Sequence, residues 1–285
     1  MTVAEALSRA ARRLDEAGVS SAPQDAEALL RHVLGWDRAR VVVEGGAPLD
    51  PESETSFFAL VDERAARRPL QHLTGRTWFW RQELLVSPDV LVPRPETEVL
   101  VEAALEALRG VERPLVADVG TGSGCIALAI ASERPDAEVH ATDLSPAALG
   151  VARDNARRLQ LDHRVRFHEG DLLAPLVASF GRFALVASNP PYVGAEEAPA
   201  LPPEVRDHEP PLALFPPGDR LSVYRRLAPQ AASALRPGGV LVVEVGAGMA
   251  AEVAAVAQAA GLRLARTIPD LAGIPRTVVA LRPVE

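Results

Sequence analysis

Three short segments of this chain carry residue types whose spacing suits chemistry at a bound nucleoside. The first is Asp118-Val119-Gly120-Thr121-Gly122-Ser123-Gly124, with glycine at every second position. Such a run lets the backbone turn sharply and approach a ligand without side-chain collision. The dinucleotide fingerprint needs another glycine at position 125, where Cys125 stands, so a smaller nucleoside cofactor without a pyrophosphate fits better than NAD or FAD. The second signal is Asp143, 23 positions after Gly120. An acid at the end of the following strand accepts both ribose hydroxyls. The competing role, a helix cap, is already taken by Ser145-Pro146. Asp171, in Gly170-Asp171-Leu172, is placed either to meet an adenine edge or to be an ordinary loop acid. The third segment is Ser188-Asn189-Pro190-Pro191-Tyr192. Its two prolines fix the backbone and remove two N–H groups, so the Asn189 side-chain oxygen and the Pro190 carbonyl are two acceptors aimed at one point. An amino group with two N–H bonds can be held there.

Composition removes other chemistries. All 30 basic residues are arginine. Without lysine there is no Walker loop, no Schiff base to pyridoxal phosphate or an aldol substrate, and no kinase phosphate-pairing lysine. Cys125 is the only cysteine, which rules out disulfides within the chain and multi-cysteine metal sites. The six histidines are scattered without ligand spacing, so no metal is expected. A net charge of −8 is the wrong sign for a protein that tracks a phosphate backbone, and no direct nucleic-acid binding is expected. Met1-Thr2-Val3-Ala4-Glu5 lacks the basic and apolar regions of a signal peptide, and no 18-residue apolar run occurs. A soluble, cytoplasmic protein that does not meet a membrane is the expectation.

These segments need elements to position them. Residues 1–72 read as a helical bundle. Its helices run through Ala6, Leu7, Ala10 and Leu14, through Leu29, Leu30 and Val33 from Ser21-Pro23 to Gly35, and onward from Asp50-Pro51 through Phe57 and Val61. Residues 73–92 read as a linking hairpin with aromatic Trp78, Phe79 and Trp80. Pro93-Arg94-Pro95-Glu96-Thr97-Glu98 is a rigid elbow into a helix over 99–108. Strands are expected over 115–119, 138–142, 165–168, 183–188, 240–245, 262–267 and 276–281. Helices are expected from Cys125, from Ser145-Pro146, and over 221–235. Strands alternating with helices mean an α/β fold with a doubly wound, mostly parallel seven-stranded sheet. The last two strands are joined by too few residues for a crossover, so the last is antiparallel.

The glycine run, Asp143 and Asn-Pro-Pro-Tyr together resemble the class I S-adenosylmethionine-dependent methyltransferases that act on planar nitrogen. Further motifs are similar to the protein-(glutamine-N5) methyltransferases of peptide chain release factors. They include Val92 to Glu98, Gly120 to Ala129, Glu204-Val205-Arg206-Asp207-His208-Glu209-Pro210, Tyr224-Arg225-Arg226 and Leu235-Arg236-Pro237-Gly238-Gly239. The elbow separates this family from the related enzyme that methylates a ribosomal-protein glutamine. The resemblance covers essentially the whole chain. It implies S-adenosylmethionine bound by Gly120, Thr121, Gly122, Ser123, Gly124, Asp143, Asp171, Leu172 and Asn189. It implies an acceptor glutamine, in a Gly-Gly-Gln loop, held by Asn189, Pro190, Pro191 and Tyr192, with Asn189, Pro190 and Tyr192 as catalytic residues. Tyr192 would wall the pocket; its alternative is a core tyrosine. The resemblance also implies substrate recognition by residues 1–72 and catalysis by 93–285. Leu172 replaces an aromatic ring found in some relatives, Phe215-Pro216-Pro217-Gly218 replaces a more glycine-rich turn, and the Trp78 hairpin is unusually aromatic. The rivals are an amino-methyltransferase of DNA or RNA bases, which meets the same acceptor pocket, the ribosomal-protein enzyme, and a non-catalytic binding protein.

Overall fold

Apolar residues three and four apart make the beginning of the chain helical. In the computed structural model, which describes residues 1–284, α1 (Val3–Glu16) is closed by a reciprocal cap in which Thr2 Oγ1 accepts from the Glu5 amide and Glu5 accepts from the Thr2 amide. α2 (Ala22–Leu34) ends at Gly35 in the left-handed region. α3 (Arg38–Val43) follows, capped by Asp37, and α4 (Pro51–Ala65) is capped by Asp50 with proline in the first turn. α5 (Leu70–Thr74) precedes Gly75. α3 is missing from the sequence reading because three consecutive valines hide a two-turn helix. α5 also carries helix into Leu73 and Thr74, where the extended segment is expected to start.

The hairpin strands β1 (Arg76–Phe79) and β2 (Gln82–Leu85) lead to α6 (Thr97–Ala107). Next come β3 (Leu115–Val119), α7 (Cys125–Glu133), β4 (Glu138–Asp143), α8 (Pro146–Arg158), β5 (Val165–Glu169) and β6 (Phe183–Ser188). Two short helices, α9 (Pro203–His208) and α10 (Pro211–Leu214), precede α11 (Ser222–Ala234) and β7 (Leu235–Glu244). The described chain closes with α12 (Ala250–Ala259), β8 (Arg263–Pro269) and β9 (Pro275–Leu281). β7 begins five residues before its expected start, through a register shift between Phe183 and Leu185.

Two compact units share these elements: residues 1–76 with 201–208, and residues 77–200 with 209–284. The chain therefore passes between them three times. Glu285, the end of the expected catalytic segment, lies outside the described residues. In the helical unit Leu14, Leu29, Leu30, Phe57 and Val61 form the buried core. Arg64 is buried there; its Nε donates to Asp25 Oδ2 at 2.7 Å and its Nη1 to Glu204 Oε1 at 3.0 Å. Arg67 also pairs with Glu204, and His208 Nε2 lies 3.2 Å from the Ala66 carbonyl. An ionic network thus fastens the eight residues of 201–208 to α2 and α4.

The second unit is built on a sheet of order β5-β4-β3-β6-β7-β9-β8. β9 runs antiparallel to both neighbours and the other pairings are parallel. Successive side chains on a strand face opposite ways. Val116, Leu185 and Val242 accordingly join α6 and α7 in one core cluster, while Ala117, Val186 and Val243 join α11 and α12 in another. Strand order reverses at β3, which has β4 on one side and β6 on the other. Ligands of open α/β sheets bind beyond the carboxyl ends of the strands at such a point.

Candidate active site

The ends of β3, β4 and β6 open onto one cleft of about 480 Å³. After β3 the chain takes positive φ at Gly120, Gly122 and Gly124 (72°, 55° and 85°), a path that side chains rarely follow. Two acids brace this loop. Asp118 is fully buried, and its Oδ2 accepts from Thr121 Oγ1 at 2.6 Å and from the Ala127 amide at 3.0 Å. Burial pushes its carboxyl up to about 7 against the pull of those bonds. Asp143, at the end of β4, accepts from the Gly122 amide (Oδ2, 2.8 Å) and the Ser145 amide (Oδ1, 2.9 Å). Burial raises its pKa as well. Asp143 lines the cleft with acceptor capacity beyond these backbone bonds. Ser145 Oγ caps α8 by accepting from the Ala148 amide, at 3.2 Å.

Asn155 of α8 is a buried brace that motif reading misses. Its Nδ2 donates to the Ser123 carbonyl and the Leu85 carbonyl, each at 2.9 Å, and its Oδ1 accepts from the Leu85 amide at 2.6 Å. One amide thereby ties the glycine loop to β2. Only the folded structure brings these partners together, so no local signal marks the residue.

The acceptor side of the cleft is built at the end of β6. Ser188 Oγ donates to the Val119 carbonyl at 2.7 Å and locks β6 to β3. Asn189, Pro190 and Pro191 then line the cleft with Gly120, Thr121, Gly122, Ser123, Asp143, Asp171 and Leu172. Gly124 shapes the loop just behind this lining, where an added Cβ would lie 3.1 Å from Leu128 Cδ1. Asp171 sits at the rim and pairs with Arg226. Leu172 has a φ of 50°.

Tyr192 is half-buried, with its ring packed against the core cluster of α11 and α12 and beside Gly246. Its hydroxyl is 3.5 Å from Glu244 Oε1, and burial pushes the phenol up to about 12.

The elbow meets the same cleft. Arg94 lines it and donates to buried Glu209 at 2.6 Å. Glu98 accepts from the Trp80 amide at 2.6 Å. Thr97 Oγ1 lies 2.7 Å from Glu244 Oε2 and 3.2 Å from Asn189 Nδ2. Cys125 also lines the cleft, and burial pushes its thiol up to about 12, so it stays protonated. The acids named here are spent on positioning or on the ribose side, and none stands free as a general base beside Asn189.

A cleft lined by the glycine loop, Asp143, Asn189 and Pro190 suits S-adenosylmethionine and an amide acceptor. The fold and site define a class I S-adenosylmethionine-dependent methyltransferase. The structure of a methyltransferase from Pyrococcus furiosus has this fold, at 16% identity and a TM-score of 0.51 over 70% of this chain and 89% of that one.

Family comparison narrows the class. The family described as PrmC N-terminal domain matches residues 5–75, and the Methyltransferase small domain matches residues 95–201. A release factor glutamine methyltransferase of Cereibacter sphaeroides is 45% identical over 283 residues, and that of Deinococcus radiodurans 46% over 282, each covering 99% of both chains. The chain belongs to the release factor glutamine methyltransferase family. Among the described residues, no helix is long and apolar enough to cross a membrane.

Proposed function

We propose that this enzyme transfers the methyl group of S-adenosylmethionine to the side-chain amide nitrogen of the glutamine in the Gly-Gly-Gln loop of peptide chain release factors. The observation that carries the reading is the placement of Asn189 and Pro190 in the same cleft as the glycine loop and Asp143. S-adenosylmethionine supplies an electrophilic methyl group on a cationic sulfur. Gly120 to Gly124, Asp143, Asp171 and Leu172 hold its nucleoside end.

An amide nitrogen is a poor nucleophile because its lone pair is shared with the carbonyl. Asn189 Oδ1 and the Pro190 carbonyl each accept one amide hydrogen, which turns the nitrogen lone pair toward the methyl group. As the N–C bond forms and the C–S bond breaks, positive charge grows on nitrogen and both acceptors stabilise it. Positioning and preorganised dipoles carry such a step; the sulfur departs in S-adenosylhomocysteine and the proton passes to solvent water after the methyl arrives. Pro191 keeps the backbone from relaxing. Tyr192, half-buried against the core of α11 and α12, supports the segment from behind.

A single Gly-Gly-Gln loop offers little binding area, so a second contact on the release factor is needed. The helical unit supplies it in this reading. Its nine arginines against twelve acids over residues 1–75 suit a protein partner better than a phosphate backbone, and the enzyme is assigned to translation termination in the cytoplasm. Incubation with methyl-labelled cofactor, intact release factor and total nucleic acid tests it. One methyl on the release factor is expected by mass spectrometry, absent when the glutamine is replaced, with weak transfer to a short Gly-Gly-Gln peptide. Label in nucleic acid alone would replace this reading with that of a base amino-methyltransferase.

A further inference from the structure

An asparagine side chain looks nearly the same to its surroundings after a half-turn about its last torsion, yet the half-turn exchanges an acceptor for a donor. Asparagine in a loop is commonly oriented by a backbone N–H two residues on. Here positions 190 and 191 are both proline, and neither has an N–H. The orienting group must come from another element.

α6 and β7 provide it. Glu244 and Thr97 are both buried. In its charged form the Glu244 carboxylate only accepts, and the one hydrogen of the Thr97 hydroxyl is then spent on Oε2 at 2.7 Å. The Thr97 oxygen can then only accept from Asn189, 3.2 Å away. Nδ2 is the one donor on that side chain, so it must face Thr97, and Oδ1 is left for the cleft. Each direction in this chain follows from the charged carboxylate; a protonated Glu244 would free the Thr97 hydrogen and release both directions.

We infer that Thr97 and Glu244 are positioning residues of methyl transfer, which together fix the end of the Asn189 side chain that meets the acceptor. This rests on the reading that Asn189 Oδ1 takes an amide hydrogen of the substrate glutamine. With the amide reversed, two donors would confront each other and the acceptor nitrogen would lose its alignment. The elbow motif thereby gains a chemical purpose: the threonine within Pro-Arg-Pro-Glu-Thr-Glu sets the polarity of the site. Other groups surround Glu244. Burial pushes its carboxyl up to about 7, the Glu96 charge adds to that, and Thr97, Arg276 and the Tyr192 hydroxyl pull the other way. Tyr224 donates to its backbone carbonyl at 2.8 Å, and Cys125 feels its charge.

The test compares Thr97→Val, which keeps the shape and removes the hydroxyl, with Thr97→Ser, which keeps the hydroxyl. Turnover on intact release factor is expected to fall roughly 10- to 100-fold in Thr97→Val through kcat, the scale of a misaligned reactant. KM for release factor and cofactor affinity should hold, and Thr97→Ser should retain most of the turnover. Nuclear magnetic resonance gives a readout that needs no substrate. The Asn189 Nδ2 protons should be protected from exchange in wild type and Thr97→Ser and lose protection in Thr97→Val. Wild-type kcat in Thr97→Val, or unprotected Nδ2 protons in wild type, would overturn the inference. Should Thr97→Val fail to fold, Thr97→Val combined with Glu244→Leu removes both polar partners and carries the same comparison. A wild type with protected Nδ2 protons but no transfer to release factor would support the orientation and remove the proposed acceptor.

Discussion

Asn189 and Asp143 stand at opposite ends of one cleft, and their loss should separate two quantities that usually fall together. Asn189→Ala removes an acceptor for the substrate amide while leaving the nucleoside contacts in place. Methyl transfer should be abolished with cofactor affinity largely kept, as turnover and titration calorimetry would read. Asp143→Ala removes the proposed ribose acceptor and also leaves the Gly122 and Ser145 amides without their partner. Cofactor binding should weaken by about 1–3 kcal/mol, the cost of unpaired buried polar groups. Unchanged affinity for S-adenosylhomocysteine would remove the ribose role. Glu244 makes a third residue-scale prediction. Its carboxyl sits at about 7 in the folded protein against an ordinary 4.5. Between those values the folded state holds more protons than the unfolded one, so this group's contribution to stability falls as pH rises through that window and is level above it. Asp118 and the histidines remain in both proteins and cancel in a comparison. The melting temperature of Glu244→Gln relative to wild type should therefore rise between about pH 5 and pH 8. A difference independent of pH would show that the carboxyl does not titrate there. After burial, Glu96, Arg276 and Tyr192 are the charged or titratable neighbours that shift it, and Tyr224 and Cys125 feel its charge.

At the scale of elements, what local spacing encodes was legible and what distant contact creates was not. The glycine run, Asp143 and Asn-Pro-Pro each declare themselves within a few residues, and strand–helix alternation is enough to imply the sheet. Tyr192 was legible as part of a motif, but its direction depends on α11, α12 and Gly246, and no neighbouring residue states that. Asn155 and Glu244 read as unremarkable because their partners lie 70 and 147 positions away. α12 escaped notice because its alanine-rich run has little amphipathic contrast. Asn155 is the element-scale test, since it joins α8 to β2 and to the glycine loop. Asn155→Ala strands the Leu85 amide and carbonyl, at about 1–3 kcal/mol. Denaturant unfolding should show that loss together with weaker cofactor binding. A variant destabilised with full cofactor affinity would limit Asn155 to the hairpin.

For the whole molecule, the informative object is the network around Arg64. Removing one member of a buried ion pair leaves uncompensated charge, and Arg64→Leu exposes both Asp25 and Glu204 to that cost. A loss of about 3 kcal/mol is expected in chemical denaturation, accompanied by faster proteolysis within residues 201–208. An unchanged midpoint would mean that Arg67 alone holds Glu204. The same geometry governs how substrate recognition by the helical unit should be probed. A chain begun at Leu73 would lack Arg64 and Arg67 and strand Glu204, so lost activity would not separate recognition from damage. Surface substitutions in the intact chain avoid this.

The three passages of the chain between its units also bear on inheritance. A recombination that exchanged only residues 1–76 for those of a relative would import a bundle evolved with one 201–208 segment and marry it to another. The imported arginines would have to match a Glu204 they did not arrive with. Only a double exchange, of the beginning and of eight residues deep inside the gene, transmits the helical unit whole. A designer who grafts its helical unit onto a new catalytic domain must therefore carry both pieces across.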